Sequence, residues 1–254
     1  MAEQIRTERR GPLLRVTLDD AERRNAQLPS TWRRLADIGR TLEPGIRVVL
    51  LDAEGPSFSA GLDRRLLSGE PVDGEPTLAQ IAGGSPADVD RTIAGFQEAF
   101  TWWAECPAIT IAAVQGHAIG AGAQLMLACD IAVVGEDLQF GLRETSLGLV
   151  PDLAGTSPLV RRIGYHRALE ICATGRLVGA QEALAIGLAE QVAPADGLRV
   201  AAQALAEQIL AAPEAAVRAL KPLLRSAVSS APVDQQASER AAQTALLRAA
   251  VGRS

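Results

Sequence analysis

Apolar and polar positions divide this chain into strand-length and helix-length pieces. Leu13-Leu14-Arg15-Val16-Thr17-Leu18 has the partial alternation of a strand. Polar residues follow from Asp19 to Leu28. Pro29 then opens a segment whose spacing predicts a helix over Trp32 to Leu42, capped by Ser30 or Thr31 and stopped at Glu43-Pro44-Gly45. Arg47-Val48-Val49-Leu50-Leu51-Asp52 is an apolar run suited to a strand buried on both faces. Strand, helix, strand is the repeating unit of a parallel sheet.

Glu54 to Gly61 reads as a loop and Leu62 to Leu67 as a short helix. Ser68 to Asp88 is rich in Gly, Pro and acidic residues without a period, which predicts a mobile surface segment placed to act as a lid. Ile93, Phe96, Phe100 and Trp103 give Asp90 to Ala104 a helical spacing, broken at Cys106-Pro107. Two buried strands are expected next, Ala108 to Val114 and Ile131 to Val134. Between them a glycine-rich turn, Gln115 to Gln124, opens a short apolar helix that ends at Cys129-Asp130. Its glycines let backbone approach a ligand or another chain segment closely. The first amides of the helix have no partner inside it and carry the positive end of the dipole. An oxygen with negative charge suits that position.

Leu138 to Val150 reads as a loop with a short strand, Thr156 to Ile163 and His166 to Thr174 as helices, Ala180 to Gly187 as a helix, and Ala189 to Val192 as a strand. Beyond Asp196 alanine dominates. Three helices are expected there: Gly197 to Leu210, Pro213 to Val228, and Val233 to Ala250. The division falls near Pro194 to Asp196, giving an α/β core over 1–195 and a helical region over 196–254. An alanine-rich arm buries little by itself, so it packs on its own core or on a neighbouring chain.

Composition narrows the function. The chain has 254 residues, 48% of them hydrophobic, enough for one large core. The formal net charge is −5, and the arginine pairs are scattered among acids, which argues against a nucleic-acid partner. Cys106, Cys129 and Cys172 lack metal-ligand spacing, so no metal centre is expected; an odd number of cysteines in apolar segments fits reduced thiols and a cytoplasmic location. Met1 to Pro12 is polar, so no signal peptide is expected, and no run has the length and apolarity of a membrane span. A dinucleotide site at Gly120-Ala121-Gly122 fails for want of a third glycine and a ribose-binding acid at suitable spacing.

Four segments together resemble the enoyl-CoA hydratase/isomerase (crotonase) superfamily. They are Arg23-Arg24-Asn25-Ala26 after the first strand, Phe58-Ser59-Ala60-Gly61-Leu62-Asp63, the glycine-rich turn running to Cys129-Asp130, and Glu144 to Val150 followed by Gly155-Thr156 and Ala180 to Leu188. Their order and spacing agree over nearly the whole chain. The resemblance implies a ClpP/crotonase-like spiral of βαβ units and a C-terminal helical region that forms trimers, often stacked into hexamers. It implies acyl-CoA thioester substrates, as in fatty acid metabolism, with coenzyme A as part of the substrate and no separate cofactor. Two backbone amides would form an oxyanion hole for the thioester enolate. By position these belong to Leu62 and Ala121, the latter replacing the usual glycine. CoA would lie against Arg24, Ala26, Ala60, Gly61 and Leu62. Arg24 either meets a phosphate or is a surface arginine. The local pattern Asn25-Ala26-Gln27-Leu28 carries one residue more than the family's Asn-Ala-Leu.

The family's hydratases use two glutamates. The first position holds Gln124 here, and the second holds Glu144. An amide cannot take a proton from water, and loss of a general base costs about 100- to 10,000-fold. Moving a double bond from β,γ to α,β needs only one carboxylate, so Gln124 with Glu144 points to an enoyl-CoA isomerase. The alternatives are a hydratase of reduced efficiency, a non-catalytic acyl-CoA binding protein, and dienoyl isomerase or hydrolase chemistry through Asp152. That aspartate matches a catalytic position in two branches of the family, but after Pro151 it also suits a turn. His117 and His166 are read as structural.

Overall fold

The computed structural model describes residues 4–70, 72 and 74–251. Residues 1–3 and 252–254, at the ends of the two expected regions, lie outside the described residues, as do Pro71 and Asp73 of the expected lid. In chain order the strands are β1 (Ile5–Arg10), β2 (Leu13–Leu18), β3 (Val48–Ala53), β4 (Ile109–Val114), β5 (His117–Ile119), β6 (Ile131–Gly135), β7 (Gln139–Gly141), β8 (Val178–Gly179) and β9 (Gln191–Ala193). The helices are α1 (Pro29–Arg40), α2 (Arg64–Ser68), α3 (Leu78–Ala82), α4 (Pro86–Glu105), α5 (Ala121–Ala128), α6 (Thr156–Ile163), α7 (Tyr165–Thr174), α8 (Ala180–Ala185), α9 (Leu198–Ala211), α10 (Glu214–Ala227) and α11 (Pro232–Val251).

One sheet has the order β1-β2-β3-β4-β6-β9, and a smaller one the order β5-β7-β8. In the large sheet only the β1–β2 pair is antiparallel. Each turn of the spiral adds a parallel strand and sends the chain back through helices. The last turns also place β5 and β7 in the small sheet. The strand β3 shows why its sequence is continuously apolar. Val48 and Leu50 pack with Leu198, Ala202 and Ala206 of α9, while Val49 and Leu51 join the larger core with Trp32, Leu35 and Phe100. A parallel strand covered on both faces has no polar side to show.

Several boundaries differ from the sequence expectations for local reasons. The helix α1 begins at Pro29 rather than Trp32, because proline suits a first turn and Thr31 Oγ1 accepts from Leu28 N at 3.1 Å. Ser85 caps α4, with its hydroxyl accepting from Asp88 N, so the helix starts four residues before Asp90. Within the segment expected to be a mobile lid, the part from Glu75 onward is tied to α1 and walls the site. Thr77 caps α3 within it, and Glu75 accepts from Ser30 N at 2.9 Å and from Arg33 at 2.8 Å. The strand β1, absent from the sequence reading, is an edge strand with one apolar residue, Ile5, buried to 1% exposure.

Beyond residue 195, α9 lies on the large sheet as described, whereas α10 and α11 leave it. Lys221 ties α10 down: its Nζ lies 2.7 Å from Asp130 Oδ2 and donates to the carbonyls of Ala108 and Trp103. Leu220, Leu224, Val228, Val233, Leu247 and Val251 of this region are exposed. Among the described residues no helix is long and apolar enough to cross a membrane.

Candidate active site

Two turns meet at the top of the spiral. The first, residues 58–63, is threaded between the segment after β2 and the glycine-rich turn. Ser59 N donates to His117 O and Ile119 N to Ser59 O, while Gln27 N donates to Gly61 O and Asp63 N to Gln27 O. That last pair leaves Leu62 N pointing away from Gln27, since the residue opposite in a parallel bridge bonds through its neighbours. The second turn is held to the small sheet, where Gly120 N donates to Gly141 O. Gly120 has φ +53° and ψ −115°, a conformation glycine adopts without a side-chain clash, and it launches α5 at Ala121.

The turns touch at Gly61. Its φ is +85°, and a Cβ there would fall 2.4 Å from Ile119 O and 3.5 Å from Ala121 N. Leu62 N and Ala121 N thus lie close together, and among the described residues neither donates to a protein acceptor. Ala121 N is free because it opens a helix.

Side chains behind the first turn fix it. Gln27 is fully buried; its Oε1 accepts from Trp32 Nε1 at 2.7 Å and its Nε2 donates to Ser59 Oγ at 3.0 Å. Ser59 Oγ accepts from Gly61 N and donates to Asn25 O. The Asn25 amide donates to Glu54 O and Ser57 O. Sequence reasoning treated Gln27 as an irregularity of register and missed this role. A polar residue between apolar ones, five before a tryptophan, was the available signal.

A cavity of about 750 Å³ opens beside the two amides. Ala60, Gly61, Leu62, Ala121, Gln124, Glu144 and Asp152 all line it, so the structure brings these expected site residues together. Arg24 and Ala26 are not among its lining; they run alongside, where Arg24 O accepts from Ala60 N. The arginines that do reach the cavity are Arg64 and Arg143, which sequence reasoning did not single out. The far wall is apolar, with Leu78 and Ile81 of α3 and Ile93 and Phe96 of α4.

Glu144 begins a single 3-10 turn, Glu144–Leu147, after β7. A Cβ on Gly120 would stand 3.6 Å from its Oε1, which places the carboxylate beside the start of α5. Oε1 accepts from Gln124 Nε2 at 2.8 Å. Oε2 is buried without a hydrogen-bond partner. Burial pushes Glu144 above the usual carboxylate range, and the charge of Asp152 adds to this, while backbone amide and Gln124 donors oppose it. Asp152 is also raised, by partial withdrawal from water. Its backbone is held by Gln97 Nε2, which donates to Asp152 O at 2.7 Å. Gln124 carries no charge and spends its Oε1 on Leu153 N and Gly155 N. The histidines stand apart: His117 Nδ1 pairs with Ser57 Oγ at 3.0 Å, and the His166 ring meets Tyr165 edge-on.

A parallel-sheet spiral whose glycine-rich turns meet beside a half-buried carboxylate is the crotonase type of fold. The sequence model of the family described as enoyl-CoA hydratase/isomerase matches residues 8–251. A Thermus thermophilus protein, provisionally described as an enoyl-CoA hydratase, is 36% identical over 220 residues, covering 85% of this chain and 81% of that one. Carnitinyl-CoA dehydratase of Citrobacter koseri is 32% identical over 238 residues, with 92% and 85% covered. Among solved structures, a Thermobifida fusca protein provisionally described as an enoyl-CoA hydratase, crystallised with CoA, superposes with a TM-score of 0.92 at 43% identity, covering 99% of this chain and 95% of that one. The chain belongs to the enoyl-CoA hydratase/isomerase family and is an enzyme of this kind.

Proposed function

We propose that the protein isomerises the double bond of an enoyl-CoA thioester, with Glu144 as the only acid/base. The observation that carries this reading is the free, buried Glu144 Oε2 beside the two converging amides, with an amide side chain at position 124. The thioester oxygen accepts from Leu62 N and Ala121 N. Glu144 removes a proton from the α-carbon, and the electron pair passes into a dienolate whose oxygen the two amides hold. Each such donor contributes about 3 kcal/mol to the transition state. The same carboxyl group returns the proton at the γ-carbon, leaving the double bond at α,β. The CoA portion lies along Arg24, Ala26 and Ala60, as it does by resemblance elsewhere in the family, and no further cofactor takes part.

Water addition is the second reading, favoured by the hydratase and dehydratase descriptions of the relatives. It needs a group that accepts a proton from water. Both lone pairs of Gln124 Oε1 are taken by backbone amides, so that side chain offers none. A third carboxyl-bearing route runs through Asp152, which lines the same cavity.

The test offers the purified protein a 3-enoyl-CoA and a 2-enoyl-CoA, with Glu144→Gln and Asp152→Asn in parallel. Turnover of the 3-enoyl-CoA that is lost in Glu144→Gln is the expected result. Hydration of the 2-enoyl-CoA at comparable rates would sink the isomerase reading, and binding without turnover of either would leave a binding protein.

A further inference from the structure

Gln124 lies at the fourth position of α5 with 1% of its surface exposed. Its Oε1 accepts from Leu153 N at 2.9 Å and from Gly155 N at 3.2 Å. These two amides flank Ala154, whose φ of +64° is a left-handed value uncommon outside glycine. Alternate amides turned inward around such a residue make a concavity suited to an oxygen with negative charge. A neutral carbonyl oxygen fills it here. The other end of the side chain, Nε2, donates to Glu144 Oε1 at 2.8 Å. One buried amide therefore joins the loop that carries Asp152 to the Glu144 carboxylate. The donors and acceptors also fix which end of the amide is which, since only oxygen can accept from both backbone groups.

We propose that Gln124 is a positioning residue that selects the reaction: it holds Glu144 as a lone base beside the cavity with Oε2 left unpaired, and it withholds from water the second acceptor that hydration needs. This rests on the one-base reading above.

The opposite substitution follows from the same geometry. In Gln124→Glu the carboxylate keeps the acceptor for Leu153 N and Gly155 N but presents an oxygen, not an N–H, to Glu144 Oε1. Two bare carboxylate oxygens at such a distance do not both stay ionised; one proton is shared. The inward amides favour charge on the group at 124, so the proton resides on Glu144. That pair can add water to a 2-enoyl-CoA. The group at 124 takes a proton from water as its oxygen bonds to the β-carbon. Glu144 gives its proton to the α-carbon as the enolate collapses. The other titratable groups facing Glu144 are Asp152 on the 150–155 loop and the Cys172 thiol on α7, which feels the Glu144 charge. Arg143 precedes it in the chain and Arg64 lies on the same cavity.

The test compares wild type, Gln124→Leu and Gln124→Glu. Butyryl-CoA, a saturated probe that no variant turns over, reports binding by calorimetry. The Glu144 titration is followed by its infrared carboxylate band, with Glu144→Gln as the blank. In Gln124→Leu butyryl-CoA binding is retained, isomerisation kcat falls on the order of 100-fold from lost positioning, and the Glu144 titration and the acid limb of kcat/KM both move to higher pH. In Gln124→Glu the ratio of hydration to isomerisation rises. An unchanged Glu144 titration in Gln124→Leu overturns the proposal whatever the protein catalyses. A shifted titration in a protein that turns over neither thioester supports the positioning of Glu144 and removes the one-base reading instead. Should Gln124→Leu fail to fold, Gln124→Glu carries the test, and an unchanged reaction ratio in it overturns the proposal.

Discussion

Gly61 and Ile119 approach so closely that a Cβ on Gly61 would lie 2.4 Å from the Ile119 carbonyl oxygen. This contact sets the two glycine-rich turns face to face and brings Leu62 N alongside Ala121 N. The left-handed φ of +85° at Gly61 adds a second reason for glycine. Gly61→Ala must push the turns apart. It is expected to cost about 1–3 kcal/mol of stability and at least about 100-fold in kcat/KM through the lost donor. Thermal denaturation and turnover measure the two separately, and full activity in this variant would show that the amides need not converge.

Glu144→Gln removes the proposed base while leaving an acceptor for Gln124 Nε2. The expected loss in kcat is about 100- to 10,000-fold, with little change in affinity for a saturated acyl-CoA. The same substitution has a stability signature. Burial, the leading cause, raises Glu144 above its unfolded value, so folding favours the protonated form. Its contribution is complete below the unfolded glutamate range and is lost as pH rises through the raised folded value. Glu144→Gln should therefore gain stability relative to wild type near neutral pH, and the gain should vanish in acid. Denaturant unfolding at the two pH values reads the difference; equal effects at both would place Glu144 in water.

Asp152 acts on Glu144 through its charge, which raises the Glu144 titration. Asp152→Asn removes that charge. The acid limb of the pH–rate profile is then expected to move to lower pH, because Glu144 ionises more readily, while the maximal rate changes less than about 10-fold. A loss comparable to that of Glu144→Gln would instead make Asp152 a second catalytic carboxyl group.

The exposed apolar residues of α10 and α11 lead us to propose that this region packs on neighbouring copies in a trimer or a pair of trimers. Light scattering should return a mass of about three or six chains, as the helical arm needs a partner to cover that surface. Leu224, 61% exposed, is the residue to challenge. Leu224→Asp is expected to shift the mass toward the single chain while the core stays folded. A wild-type monomer would show that the arm stands without a partner.

Much of the architecture is legible in the pattern of apolar positions, because long elements repeat their period often enough to be read. The α6 boundaries match the expected ones, and β2, β3, β4 and β6 lie where the apolar runs are. The elements that escape are those set by distant partners. The edge strand β1 has a single buried apolar side chain, and β5 and β8 have three and two residues. The wall made by α3 is five residues long, and its ties to α1 run through Glu75 across more than forty positions of sequence.

The candidate site divides in the same way. Leu62, Ala121, Glu144 and Asp152 were singled out by the resemblance to the family, since a lone loop carboxylate or helix start does not announce its chemistry locally, and the fold sets all four on one cavity. What each polar group bonds to was decided by folding. Gln27 locks the first turn only because Trp32 and Ser59 reach it. Gln124, in the sequence merely a missing acid, becomes a link between Glu144 and the 153–155 backbone because α5 points it into both. The sequence by itself determined which groups could donate, accept or ionise. Only the tertiary structure decided which of them were already paired, and hence that Glu144 Oε2 is the oxygen left free.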